Sequence, residues 1–186
     1  ASTILLFPES KDRMHLIEGL IVASASPEEK MAEAKRWLSE PKVKMTVAEE
    51  KSIRELRAGV AQKAGDSAVV IEEMTALNKI QPDKKYTYAA AKARYDQKDF
   101  DGALVTFKEI AASGTDDLAT QSQNLALEIL NQQKKLPELI AQANSWTANS
   151  KVIDSAQKNA TLKQELAEMA EVKEEAVFAQ AVAKGD

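Results

Sequence analysis

Helix start and stop signals recur at short intervals along most of this chain. Ser26-Pro27-Glu28-Glu29 places serine at the N-cap, proline at the first helical position and glutamate at the third, which is the pattern of a capping box. Thr46-Val47-Ala48-Glu49 has the same arrangement. Further starts are expected after Asp83 and Asp99 and at Pro137, and stops at Pro41, Gly65-Asp66, Pro82 and Ser113-Gly114. These signals predict short helices joined by tight turns.

The apolar residues between the signals follow helical spacing. One such stripe consists of Ile53, Leu56, Val60 and Ala64. No segment alternates convincingly with a period of two, apart from a doubtful strand at Thr3–Phe7. Glycine (6) and proline (5) are scarce, as is usual in a mostly helical protein. We therefore predict an all-α fold of consecutive antiparallel helical hairpins.

Charge and composition limit the kinds of partner. The 186 residues carry a net charge of −4, and a phosphate backbone requires a basic face, so nucleic acid is not an expected partner. No apolar run approaches the roughly 20 residues that span a bilayer, so no membrane span is expected in this chain. Because the chain contains no cysteine, neither a disulfide framework nor a cysteine metal site is possible.

The residues that usually carry catalysis or bind cofactors do not form a recognisable set. His15 is the single histidine, and one histidine without cysteine makes a zinc site an unfavourable interpretation. The glycines are scattered, so no phosphate loop is expected, and no serine lies in a glycine elbow. Paired glutamates such as Glu72-Glu73 are typical of solvated helix faces or of the first turn of a helix, where they interact with its dipole. We predict no catalytic, cofactor or metal site and no enzymatic activity.

Three hairpins share one internal register. Val70, Ala103 and Leu139 begin comparable second helices, and they are separated by 33 and 36 residues. Four and seven positions after each of them lie the apolar residues Met74 and Leu77, Phe107 and Ile110, and Ala143 and Trp146. A helix–turn–helix unit that recurs about every 34 residues resembles the tetratricopeptide repeat.

The unit that most resembles this family is Lys84–Thr115. Ala91 and Ala103 occupy the small positions of its two helices, and the aromatic positions are Tyr95, Phe100 and Phe107. It departs from the family pattern with Lys98 where glycine is common, Thr115 where proline is common, and no tryptophan early in the first helix. The neighbouring units are more degenerate, and Asp12–Ser24 with Pro27–Ser39 is a further candidate unit.

The resemblance implies a stacked solenoid, a right-handed superhelix whose units cover one another's apolar faces. The predicted division is a tail at residues 1–10, repeats at 11–148 and a C-terminal capping helix at 149–186. In this family the first helices line a concave face that binds peptides or protein segments, which makes these the candidate partner-binding residues: Tyr88, Lys92, Tyr95, Gln121, Asn124 and Glu128. Packing between units is the alternative role for Tyr88 and Tyr95.

Some family members hold a terminal carboxylate with a set of Lys, Asn and Arg residues. The corresponding positions here include Glu55, Gly59, Tyr88 and Lys92, so a carboxylate clamp is not expected. The sequence instead favours a non-enzymatic protein-interaction scaffold that binds a protein or peptide, and needs no cofactor.

Two alternatives concern the ends of the chain. Val152–Lys184 is expected to be helical, either broken near Asn159-Ala160-Thr161 or touching two neighbours in turn. It either caps the repeats or pairs with another chain through Val177-Phe178-Ala179, and in the second case the protein is a self-associating module. The apolar segment Thr3–Phe7 is another candidate for that role, or packs under the first hairpin. The small-residue start favours an exported bacterial protein of the envelope, with a piece of a cytosolic protein as the alternative.

Overall fold

The computed structural model describes residues 12–156 and 159–184. Ten helices and no strand lie in these residues, so the all-α prediction is confirmed there. The predicted tail at residues 1–10 and its doubtful strand at Thr3–Phe7 lie outside them. Two compact units divide the chain, Ala1–Gln97 and Lys98–Asp186. This division falls inside the predicted repeat Lys84–Thr115.

The first unit contains five helices in its described part. They are α1 (Arg13–Ala23), α2 (Pro27–Leu38), α3 (Val47–Ala64), α4 (Ser67–Ile80) and α5 (Lys84–Asp96). Each of them packs against the next helix along the chain. The short connections require this arrangement, because a turn of a few residues returns the chain beside the helix that it has just left.

The second unit contains five more helices among its described residues. They are α6 (Phe100–Ala112), α7 (Asp117–Gln132), α8 (Leu136–Thr147), α9 (Ser150–Ala156) and α10 (Ala160–Lys184). Here α6 packs on α7 and α7 on α8, while α10 packs against both α7 and α8. The long helix α10 therefore packs against two earlier helices of the same unit.

The predicted caps hold the helix starts. Thr46 accepts a hydrogen bond from the Glu49 amide (3.2 Å), and Glu49 accepts one from the Thr46 amide (2.7 Å), which completes the capping box. Ser26 accepts from the Glu29 amide, whereas the Glu29 carboxylate reaches the amide of Ala25 (2.9 Å) instead of that of Ser26. Asp83 and Asp99 cap α5 and α6 as predicted.

The helix ends also lie near the predicted signals. α2 ends at Leu38, before Pro41, and α4 ends at Ile80, before Pro82. One prediction was displaced by a residue, because α8 begins at Leu136 and Pro137 is its second residue. A proline fits either position, since the first amides of a helix have no acceptor within it.

A residue with left-handed backbone conformation lies in the turn before each of three helices. These residues are Gly65 (φ 75°), Lys98 (φ 67°) and Lys134 (φ 58°). They are separated by 33 and 36 residues, the same intervals as in the sequence register. Lys98 stands where the tetratricopeptide pattern commonly has glycine, and its positive φ explains why glycine suits that position.

Apolar side chains of the first three helices form the first cluster in the core. Its fully buried members are Ile17, Ile21, Ala34, Trp37 and Ile53. Val43, which is 6% exposed, belongs to the same cluster. The Trp37 indole N–H donates to Glu33 Oε1 (2.8 Å), so the polar atom of this buried ring is satisfied.

A second cluster contains one buried residue from each of the helices α2, α3, α4 and α5. In chain order these residues are Met31, Ala61, Val70 and Ala93. The stripe predicted on α3 was partly wrong, because Ala64 is exposed whereas Ala58 and Ala61 are buried. Arg57 on the same helix also faces inward, and it pairs there with Glu73 of α4.

The register residues of the second unit are buried. Ala103, Phe107, Leu139 and Ala143 have no exposed surface, and Ile110 and Trp146 have almost none. In the first unit Ala91, the other predicted small residue, is 1% exposed. Ala91 and Ala103, the small residues of the predicted repeat, therefore lie in different units.

The C-terminal segment follows the alternative with a break. α9 ends at Ala156, and α10 begins at Ala160, where Asn159 Oδ1 accepts from the amides of Thr161 (3.0 Å) and Leu162 (3.2 Å). Leu162, Met169 and Ala176 are buried on one face of α10, and Leu166 on the same face is half-buried.

Candidate functional site

Two of the predicted partner-binding residues lie on one groove of the first unit. Tyr88 and Lys92 are four residues apart on α5, so they project from the same face of that helix. They line a groove of about 370 Å³ between α4 and α5, with Val70 and Met74 from the facing helix and Ala93 below. We call this the α4–α5 groove. Its floor is apolar, since Val70 and Ala93 are each 6% exposed.

The polar groups of the α4–α5 groove stand beside this floor. The Lys92 ammonium pairs with the Asp96 carboxylate one turn along α5, and both residues line the groove. Burial raises the pKa of the Tyr88 hydroxyl above its ordinary value, an effect that Lys92 opposes and Asp96 reinforces. The phenol is therefore neutral at physiological pH and presents a half-buried ring with a polar tip.

Tyr95 supports Lys92 and does not line the α4–α5 groove with it. The Lys92 ammonium lies 5.2 Å from the centroid of the Tyr95 ring, which is cation–π distance. Tyr95 and Asp96 thus both orient the lysine. The structure places Tyr88 and Lys92 on one groove, and Tyr95 lies beside Lys92 and helps to orient it.

The predicted residues of α7 separate into two places in the second unit. Asn124 and Glu128 line a groove of about 350 Å³ between α7 and α10, which we call the α7–α10 groove. Gln121 lines a different cavity of about 290 Å³, with Thr120, Asn159 and Thr161. Although the three residues share a helix, α10 contacts that helix at both places and divides the surface between them.

A buried ion-pair network between α3 and α4 was not predicted from the sequence. Glu73 has no exposed surface, and its carboxylate binds the guanidinium groups of Arg57 and Arg54, the latter at 2.9 Å. Arg57 also donates to Glu72 (3.2 Å), and this hydrogen bond lowers the pKa of the Glu72 carboxyl. The interpretation of Glu72-Glu73 as a solvated pair was therefore wrong for Glu73.

A sequence signal for this network did exist. Arg57 lies midway between Ile53 and Ala61 at four-residue spacing, and Glu73 lies between Val70 and Leu77. Opposite charges inside the apolar stripes of two consecutive helices indicate a buried pair, because neither charge is stable there alone.

The described residues contain neither a metal-binding cluster nor a membrane-spanning helix. His15 has a side chain that is 88% exposed and lies near Glu18 (3.9 Å). Within the described ranges no cluster of three acidic, histidine or cysteine residues could hold a metal ion. No helix in these ranges combines the length and apolar character needed to cross a membrane.

No protein-family model matches this chain. No curated protein and no solved structure matches it either. The two grooves and the buried network are therefore interpreted from their own chemistry.

Proposed function

We propose that this chain is a non-enzymatic protein–protein interaction scaffold, built from tetratricopeptide-like repeats, that binds a peptide or protein segment. The observation that carries this proposal is the α4–α5 groove, where an apolar floor meets the aromatic ring of Tyr88 and the oriented Lys92. Grooves of this composition suit a peptide, because apolar area supplies affinity and a few fixed polar groups supply orientation.

The recurring turns support the repeat interpretation. Left-handed residues at positions 65, 98 and 134 precede second helices whose register residues are buried except for the half-buried Met74, and the intervals equal those of the sequence pattern. The turns at Gly65 and Lys134 also close with the same two backbone hydrogen bonds. In each turn this residue's amide donates to the carbonyl three residues earlier, and the next amide donates to the carbonyl five residues before itself. We propose on this basis a right-handed superhelix with a concave binding face.

The α4–α5 groove defines what the bound segment must offer. Val70, Met74 and Ala93 accept an aliphatic or aromatic side chain, and methionine adapts its shape to the ligand. The ion pair of Lys92 and Asp96 presents both a donor and an acceptor to the peptide backbone. A short segment with one or two apolar anchors fits these requirements.

The double variant Tyr88→Ala, Lys92→Ala is expected to weaken peptide binding at least about tenfold, since truncating an aromatic hot-spot residue of an interface typically costs about 2 kcal/mol or more. Peptides selected from a random display library on the wild-type protein would be measured by isothermal titration calorimetry. The matched control is Lys63→Ala, Lys79→Ala, which removes two exposed lysines of the same unit outside the groove. Equal affinity for all three proteins would refute the proposal.

Self-association through α10 is the second candidate function. Phe178 is 72% exposed, Val182 59% and Val177 47%, so this helix presents an apolar surface near its end. For this candidate we expect a molar mass that rises with concentration in light scattering and returns to that of a monomer in Phe178→Ser. A concentration-independent monomer for the wild-type chain would exclude it. The segment Thr3–Phe7, the other candidate surface, lies outside the described residues.

A further inference from the structure

The α7–α10 groove is formed by one face of each helix. Asn124, Leu127, Glu128 and Asn131 follow the spacing i, i+3, i+4 and i+7, so they line the groove as a continuous stripe of α7. Glu168, Met169 and Val172 face them from α10. The result is a trough of about 350 Å³ that lies along two packed helices of the second unit.

The floor of this trough is apolar. Leu127 and Met169 are 3% and 2% exposed, and Val172 is half-buried. An aliphatic chain laid on this floor would remove apolar surface of both partners from water. The floor thus selects a ligand with methylene or branched aliphatic groups.

The rim of the trough is acidic. Glu128 and Glu168 are both exposed, and the described lining of the groove contains no lysine, arginine or histidine. The amides of Gln132 (3.0 Å) and Gln164 (2.9 Å) donate to the two carboxylates and help to orient them. α7 carries Asp117 and Glu128 but no basic residue, and α10 carries five glutamates against three lysines, so the two helices together are net negative.

We infer that the α7–α10 groove binds a basic, amphipathic segment of a partner protein, with Lys or Arg stems on Leu127 and Met169 and their cations against Glu128 and Glu168. Both side chains suit the site, because each combines an apolar stem with a charged end. The trough also matches the mode in which an amphipathic helix lies in a groove. This inference rests on the proposed function, and it adds a second surface and the chemistry of its partner.

Methionine methyl NMR can test this inference separately from the α4–α5 groove. Of the five methionines, Met74 lines the α4–α5 groove and Met169 lines the α7–α10 groove. The probe is a capped helical peptide of about 14 residues, which is four turns, with leucine on one face and lysine on the other. We expect it to shift the Met169 methyl resonance and leave that of Met74 in place.

The two carboxylates are tested by Glu128→Gln, Glu168→Gln. This double variant is expected to bind the leucine–lysine peptide about tenfold more weakly, as for the loss of two partly exposed ion pairs. Its matched control is Glu171→Gln, Glu174→Gln, which removes the same charge from exposed residues of α10 that do not line the groove. The control should change the affinity less than about twofold.

A peptide with glutamate in place of lysine completes the test. Weak binding of this peptide, together with a Met169 shift by the lysine peptide alone, would support the inference. Equal binding of both peptides, equal losses in the two double variants, or a shift confined to Met74 would overturn it. A failure here with intact library-peptide binding at Tyr88 and Lys92 would leave the proposed function standing. The reverse result would refute the proposed function as stated for the α4–α5 groove and leave the α7–α10 groove as a separate binding surface.

Discussion

Replacing Glu73 by alanine is expected to lower the free energy of unfolding by about 3–5 kcal/mol. The carboxylate is fully buried between α3 and α4, and it is the shared partner of Arg54 and Arg57. Its removal leaves the guanidinium of Arg57, which is 4% exposed, without its buried counter-charge. Chemical unfolding followed by circular dichroism measures the loss.

Glu72→Ala is the control for this prediction. It removes the same chemical group from the neighbouring residue and also ends an ion pair with Arg57, but the Glu72 side chain is 50% exposed. An exposed pair of this kind contributes less than about 1 kcal/mol. If the two variants were equally stable, the burial of Glu73 would not be the controlling factor.

A double replacement separates the charge effect from packing. In Arg57→Met, Glu73→Leu both buried charges are replaced by apolar groups of similar length, and such exchanges are often neutral or stabilising. We expect this variant to recover most of the stability lost in Glu73→Ala. Failure to recover would mean that Arg54, left without Glu73, still depends on this carboxylate.

Trp37→Ala is expected to destabilise the protein by about 3–5 kcal/mol, because it leaves a cavity where a fully buried indole fills the first cluster. Denaturant titration would give the change in the free energy of unfolding. Leu16→Ala is a suitable comparison, since that side chain is 48% exposed on α1 and its truncation should cost no more than about 0.5 kcal/mol. A small effect at Trp37 would show that its neighbours collapse into the space.

Trp37→Phe separates two contributions to this loss of stability, the buried apolar area of the ring and the hydrogen bond of the indole N–H. Phenylalanine keeps most of the apolar surface but has no N–H to donate to Glu33. We expect a smaller loss than in Trp37→Ala, and the remaining loss reports the indole hydrogen bond together with the reduced ring volume.

The helix boundaries were predictable because their causes are local. The capping interactions of Ser26, Thr46 and Asp99 each involve residues within four positions of the cap, and all were expected from the sequence. The register of Val70, Ala103 and Leu139 was expected for a similar reason, since it repeats a local pattern, and all three residues are buried.

The candidate sites were only partly predictable. Tyr88 with Lys92, and Asn124 with Glu128, lie together as helical spacing requires. The separation of Gln121 from the last two depends on where α10 packs, and that contact joins segments about forty positions apart in the chain. Spacing along one helix carries no information about which distant helix covers it.

The sequence by itself determined that this chain forms short helices with defined caps, turns and a recurring register, because each of these features depends on near neighbours. Only the tertiary structure decided which faces turn inward, that Arg57 and Glu73 are paired in the core, and where α10 leaves an acidic groove open. Burial and pairing arise from contacts between distant segments, and the free energy of those contacts depends on how the helices pack together.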